Sequence, residues 1–221
     1  MTELLKIRDL GSDQGYQDIF EMQMKLHAQR VKGEIPDTLL LLEHRPVYTL
    51  GTSASLDNVI FNPDELARCG MELVRTSRGG DVTYHGPGQL VGYPIVHLGD
   101  LGIKVLEYLT ALEEVIIKVA ARFGVDAGRD ARNRGVWVGN SKLAAMGIRV
   151  SRQTTMHGFA LNVNTHLGEY SGIVACGLQG VGVTSLQQLT GTALDMAQVK
   201  AALSEAFVDV IGYKKVQNEQ I

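Results

Sequence analysis

At 221 residues, with 45% apolar and 20% charged side chains, the chain is long enough to bury a substantial core and lacks the composition of a disordered segment. A formal charge of -3 and few aromatics argue against nucleic-acid binding, which needs a basic face or stacking platforms. No apolar run approaches the roughly 20 residues that span a bilayer, and the two cysteines, Cys69 and Cys176, have neither metal-ligand nor disulfide-scaffold spacing, so a cytoplasmic, metal-free protein is expected.

In chain order, Tyr16, Ile19, Phe20, Leu26 and Val31 predict a loosely amphipathic helix from Ser12 to about Val31, stopped by Gly33. Thr38 to Leu42 and Val47 to Leu50 read as neighbouring strands, and Pro63 and Gly70 bracket a short helix that ends near Cys69. Met71 to Arg75 reads as a strand, and QLVGYPIVHL, beginning at Gln89, as another that is kinked or edge-like at Pro94. Val105, Leu109, Leu112, Ile116, Val119 and Phe123 fall at helical spacing before Gly124. Val136 to Val138, a Gly139-Asn140 turn and Ser141 to Val150 form a hairpin pattern, with a further strand from Thr155 to Val163. Asp195 and Gln198 offer a capping box for a last helix carrying Val199, Leu203, Phe207 and Val210, stopped by Gly212. Hairpins mixed with helices, without repeats or linkers, predict an α+β fold in which one domain over residues 1–221 has a mixed main sheet and flanking helices.

The segment Arg78 to Gln89, RGGDVTYHGPGQ, suits neither a helix nor an ordinary strand. Its glycines let backbone N–H groups approach a ligand, Pro87 stiffens the second turn, and Arg78 and His85 place a fixed cation and a titratable ring at the two ends of a polar stretch. A glycine-rich hairpin with a strand edge from Asp81 to Tyr84 is the plainer reading.

Cys176, just before Gly177 in YSGIVACGLQG, sits where a side chain is presented rather than packed; Cys69, at a helix end, reads as structural. A thiol with a reference pKa of about 8.5 needs a base or cation nearby to act near neutral pH. Lys142 is the candidate, since strand parity places it with Ala144, Met146, Ile148 and Val150, a more apolar set than Leu143, Ala145, Gly147 and Arg149. The bland alternative is an exposed lysine beside a turn. His157 shares parity with Phe159, Leu161 and Val163 and fits a core histidine or a site residue. Arg129, Arg132, Arg134, Arg149 and Arg152 crowd together near Asp126 and Asp130 alone, as a solvated loop or a docking patch for an acidic partner.

Taken in order, EHRPVYTLG, RGGDVTYHGPGQLVGYP, SKLAAMGIRV, HGFALNVN and ACG resemble the lipoyl(octanoyl) transferase family of lipoate biosynthesis, over about Leu39 to Leu186. The resemblance implies a cytoplasmic acyltransferase related in fold to biotin and lipoate protein ligases. It implies transfer of an octanoyl group from acyl carrier protein to a lysine of lipoyl domains of 2-oxoacid dehydrogenases or of the glycine cleavage H protein. No cofactor is implied beyond the acyl-phosphopantetheine carried by the substrate, nor any nucleic-acid or membrane partner, and a monomer is expected. Cys176 corresponds to the acyl-thioester nucleophile and Lys142 to the residue that tunes it and shuttles protons. Arg78, Gly79, Gly80, Asp81, Val82, Thr83, Tyr84 and His85 correspond to a substrate-binding stretch, as do Ala145, Met146 and Gly147, and Gly158, Phe159 and Ala160, with His157 in the same pocket. Ala175 stands where a proline commonly precedes the nucleophile, and Ser141 where a glycine often precedes the lysine, departures expected to affect rate more than reaction type. The rivals are an ATP-dependent lipoate or biotin ligase, a hydrolase using Cys176 with His157, and a non-catalytic acyl-carrier binding module.

Overall fold

The computed structural model describes residues 4–174 and 180–220. In chain order the elements are β1 (Leu4–Asp9), α1 (Tyr16–Val31), β2 (Asp37–Leu42), β3 (Val47–Leu50), α2 (Pro63–Arg68), β4 (Glu72–Arg75), β5 (Val82–His85), β6 (Gln89–Ile95), α3 (Leu98–Leu101) and α4 (Val105–Arg122). They continue as β7 (Gly135–Val138), β8 (Ser141–Ser151), β9 (Thr154–Asn162), β10 (Gly182–Val183), α5 (Leu186–Thr190), α6 (Met196–Ile211) and β11 (Lys215–Gln220).

The main sheet runs β10-β8-β9-β6-β2-β1-β11, with β7 also pairing with β8, and a smaller sheet runs β4-β3-β5. Parallel pairs (β1 with β2 and β11, β10 with β8) and antiparallel ones (β2, β6, β9, β8) make the main sheet mixed, as the α+β expectation required. Because strand side chains alternate, β2 divides its leucines between two cores. Leu39 and Leu41 pack with α4 and α6 through Leu112, Ile116, Leu203 and Phe207. Leu40 and Leu42 pack beneath α1 with Ile19, Leu26, Val91 and Ile95. Helices therefore cover both faces. The small sheet has its own core of Tyr48, Leu50, Val82, Tyr84, Tyr170 and Ile173.

Several sequence expectations change in the folded chain. The apolar runs 38–42 and 47–50 are not neighbours, because the chain leaves the main sheet at His44 to Pro46, where His44 bridges Gln14 and the Pro46 carbonyl accepts from Glu72 N–H, and starts the second sheet. The strand containing Pro94 is central rather than an edge strand. Its pairing with β9 covers only Gln89 to Gly92, so Pro94 falls where no N–H is needed on that side, and its carbonyl accepts from the Thr155 hydroxyl at 2.6 Å. Asp195 caps α6 through Ala197 N–H, without the reciprocal arm expected from Gln198, whereas Asn62 and Glu65 form a full capping box on α2. Cys69 is exposed rather than packed.

A buried carboxylate ties the end of α1 to the sheet. Asp37, with no exposed surface, accepts from Arg30 Nε at 2.7 Å, from the Tyr213 hydroxyl at 2.7 Å and from His97 N–H at 2.9 Å. Removing one member of such a cluster strands the others without solvent. Asp37→Ala is expected to lower unfolding stability by about 3–5 kcal/mol in urea denaturation, and a loss below about 1 kcal/mol would contradict this account.

Candidate functional site

The site lies where the loop joining β4 to β5 comes against β8 and β9. Arg78 is nearly buried, and its guanidinium donates to the Thr49 hydroxyl (3.1 and 2.9 Å), the Thr49 carbonyl (2.5 Å) and the Gly79 carbonyl (3.1 Å). Gly79 N–H donates to the Ile148 carbonyl of β8 at 3.0 Å. The loop crosses so closely that a Cβ on Gly147 would lie 2.7 Å from the Gly79 carbonyl oxygen, and this explains a glycine in mid-strand.

Behind the loop opens a cavity. Of the residues expected from the sequence, Arg78, Gly80, Asp81, Val82, Thr83 and His85 line it from the loop and β5, Ala145, Met146 and Gly147 from β8, and His157, Gly158, Phe159 and Ala160 from β9. Gly79 and Tyr84 lie outside this wall: Gly79 is spent on the bond to β8, and Tyr84 turns into the small-sheet core against Tyr48 and Tyr170. Tyr16, Tyr93 and Asn133 also line it, although the sequence reading did not select them. In the sequence Tyr16 reads only as a helix core position, and Asn133 lies among the arginines of the basic cluster.

The cavity histidines are neutral for identifiable reasons. His85 Nδ1 lies 2.8 Å from Gln89 Oε1, and the Gln89 amide nitrogen donates to Asn162 Oδ1 at 2.9 Å and to the Tyr84 carbonyl at 3.1 Å. The glutamine oxygen must therefore accept, so His85 Nδ1 carries the hydrogen and Nε2 is the acceptor. Burial holds the His85 pKa well below its ordinary value, with His44 and Arg78 adding to the effect. Beside it, His44 Nδ1 donates to the Gln14 carbonyl (3.1 Å) and Nε2 accepts from the Tyr93 hydroxyl (2.9 Å); burial lowers its pKa to about 4, the Gln14 bond opposing the shift. His157 is lowered to about 3, by burial first and then by the charges of Arg78 and Arg149.

His157 also departs from simple strand parity. Its backbone is left-handed (φ 57°), and its ring stacks on Phe20 at 5.6 Å and meets Tyr93 edge-on at 6.3 Å, on the α1 side, while Phe159 packs on the α4 and α6 side. Its Nε2 lies 3.1 Å from the Ser77 hydroxyl, and its backbone N–H donates to Gln23 Oε1 at 2.8 Å. Its Nδ1 is buried without a hydrogen-bond partner among the described residues, as is the Gln23 amide nitrogen.

Parity fails at Lys142 as well. A bulge between Lys142 and Ala144 lets Leu143 and Ala144 both enter the main core, while the lysine turns toward the segment before β7. The residue is 6% exposed, with Nζ donating to Asn133 Oδ1 at 3.0 Å and to the Arg134 carbonyl at 3.2 Å, 4.8 Å from the centre of the Trp137 ring. It is thus a buried lysine in a polar cradle, neither exposed nor grouped with the apolar face. Ser141, paired with Val138 and Gly182, leaves the hairpin intact.

Ala175 and Cys176 lie outside the described residues. The described chain stops at Val174, whose N–H donates to the Asn58 carbonyl at 2.8 Å, and resumes at Gly180, whose carbonyl accepts from Asn140 Nδ2 at 2.9 Å. Three residues later Val183 pairs with Lys142. The expected basic patch is largely compensated: Arg129 and Arg134 reach Glu113 (3.3 and 3.0 Å), Arg129 also Glu114 (2.7 Å), and Arg132 reaches Asp130 (2.6 Å). Arg149 and Arg152 lie at the other end of β8 and in the turn beyond it. Among the described residues no helix is long and apolar enough to cross a membrane, and no group of three His, Cys, Asp or Glu side chains could hold a metal ion.

The mixed sheet with its flanking helices is a fold shared with solved lipoate- and biotin-protein ligases. Lipoate-protein ligase A bound with ATP superposes with a TM-score of 0.75 at 15% identity, covering 100% of this chain and 90% of that one. A biotin protein ligase from Aquifex aeolicus in complex with biotin and ATP gives 0.54 at 12% identity, over 96% and 71%. The family described as the lipoyl protein ligase A/B catalytic domain matches residues 15–208, and the chain belongs to it. Among its relatives, an octanoyltransferase from Caldicellulosiruptor saccharolyticus is 44% identical over 90% of this chain and 86% of its own length. Another, from Alkaliphilus metalliredigens, is 41% identical over 96% and 98%.

Because these buried histidines stay neutral in the folded protein but have an ordinary pKa near 6.5 when unfolded, the unfolded chain takes up protons first as pH falls. Stability is expected to be full above about pH 6.5 and to decline from there toward pH 4, by up to about 1.4 kcal/mol per pH unit for each such histidine. Urea denaturation between pH 7.5 and 5 measures the slope, which His44→Gln should reduce; a pH-independent stability would contradict the assignment.

Proposed function

We propose that this protein is an octanoyltransferase that moves an octanoyl group from acyl carrier protein to a lysine of a lipoyl domain through an acyl-Cys176 thioester. The observation that carries the proposal is a buried, oriented lysine amine at Lys142, hydrogen-bonded to a residue of the cavity wall and one strand pair away from the chain that follows Cys176. Relatives named octanoyltransferases over most of the chain supply the acyl group and the reaction class. In the first half-reaction the Cys176 thiol gives its proton to Lys142, the thiolate adds to the carrier thioester carbonyl, and the pantetheine thiolate leaves and regains that proton. In the second, the acceptor lysine amine adds to the octanoyl-Cys176 carbonyl, loses a proton to Lys142, and expels the thiolate as the amide forms.

Thioester exchange is nearly balanced and amide formation is downhill, so the reaction needs neither ATP nor a cofactor. Val82, Met146 and Phe159 give the cavity apolar wall for the chain. Backbone N–H groups of the glycine-rich loop are oxyanion donors in this reading. The enzyme acts as a cytoplasmic monomer, with lipoyl domains of 2-oxoacid dehydrogenases and the glycine cleavage H protein as acceptors. An ATP-dependent ligase is the second reading, favoured by the fold alone, since lipoate-protein ligase A bound with ATP has the same architecture.

Intact-protein mass spectrometry after mixing with octanoyl carrier protein, with and without ATP, separates the two. A mass increase of one octanoyl group without ATP is expected for the unaltered protein and for Cys69→Ala, and none for Cys176→Ala; octanoyl transfer by Cys176→Ala would reject the covalent route. Replacing Lys142 with Ala is expected to raise the pH at which an alkylating reagent modifies Cys176, and an unchanged profile would remove the lysine from the mechanism.

A further inference from the structure

The cavity wall does not include Lys142 itself; the cavity meets the lysine through Asn133. We propose that Asn133 is a positioning residue for the Lys142 amine, confining it from a segment held by Trp137 and Glu113. The inference rests on the Cys176 and Lys142 reading above and adds the question of what orients the amine. A lysine side chain has four rotatable bonds, so a proton carrier on it is useful only if its terminal nitrogen is confined. The amine that takes the thiol proton is neutral, with two N–H donors and one lone pair, and its donors go to Asn133 Oδ1 at 3.0 Å and to the Arg134 carbonyl at 3.2 Å on the same segment.

That segment is itself pinned from two sides. The Trp137 indole N–H donates to the Asn133 carbonyl at 3.2 Å, and the same ring lies 4.8 Å from the lysine nitrogen, so one side chain fixes both the acceptor's backbone and the amine's position. From α4, the Glu113 carboxylate, 2% exposed, accepts from Gly135 N–H at 3.0 Å and from Arg134 at 3.0 Å. Gly135 has a φ of 136°, and a Cβ there would lie 2.5 Å from the Ala144 carbonyl oxygen and 3.3 Å from Lys142 Cε, so the approach requires glycine. Two acceptors, a ring and a close-packed backbone therefore converge on one amine.

The test uses the full-length protein in a Cys69→Ser background, so that alkylation reports Cys176 alone, with two readouts: the alkylation rate against pH and the single-turnover rate of octanoyl transfer from carrier protein. Asn133→Leu removes the acceptor at similar size and is expected to move the alkylation profile in the same direction as Lys142→Ala. It should slow acyl-enzyme formation by about tenfold to a hundredfold, the range expected for one hydrogen bond to a charged group, with little change in KM. Asn133→Asp keeps an acceptor oxygen and should recover most of the rate. If Asn133→Leu fails to fold, Trp137→Phe, which keeps a ring but loses the N–H, decides the matter by a smaller shift of the same sign. A parent-like profile and rate in the Leu variant, or in the Phe variant where that one decides, alongside a shifted Lys142→Ala, would overturn the role of Asn133 alone. A parent-like Lys142→Ala would instead overturn the underlying reading of the lysine, and this proposal with it.

Discussion

Arg78 joins the two sheets, because its guanidinium donates to both the hydroxyl and the carbonyl of Thr49 in β3 while the adjacent Gly79 is bonded to Ile148 in β8. A planar fork with five donors suits this task, since it satisfies several acceptors at once and stays charged at every accessible pH. The Gln89 side chain of β6, bonded to the Tyr84 carbonyl and the His85 ring of β5, adds a second directional link between the sheets. The cavity exists because this crossing is held in one geometry: its walls come from β5 on one side and from β8 and β9 on the other.

The same guanidinium shapes the electrostatics behind it. A buried cation raises the cost of adding a second positive charge, and this contributes to keeping His85 and His157 neutral, although burial is the larger cause for both. Neutral rings offer acceptor lone pairs without the solvation demand of an imidazolium. A cavity of this kind tolerates an uncharged aliphatic chain beside polar atoms, as an acyl transferase requires.

Much of this architecture was legible in the sequence, because the long helices and the hairpin depend on short-range patterns. The apolar spacing from Val105 to Phe123, the Gly139-Asn140 turn and the strand after it all reappear as α4, β7 and β8. The fold class was likewise readable from hairpins mixed with helices, and the family and most of the cavity wall from the resemblance carried by the ordered motifs, since the glycine-rich loop alone reads as a hairpin. Other features depended on tertiary context. β1 and β11 are short strands interrupted by charges, which pair with each other at one edge of the sheet, and no local pattern marks them. Counting by twos misplaced Lys142 and His157 because a bulge and a left-handed residue each shift the alternation. Asn133 escaped notice because its partner is a side chain nine positions away whose direction only the bulge reveals.

The left-handed backbone at His157 has a wider implication. Mid-strand, such a conformation lets two successive residues, Met156 and His157, serve the α1 side before the alternation resumes at Phe159. A histidine, asparagine or glycine tolerates that mirror-image geometry, whereas a β-branched side chain strongly resists it. Swapping in valine or isoleucine would therefore not simply delete an imidazole. It would press the backbone toward regular pleating and so couple the chemical identity of one position to the shape of the whole cavity wall.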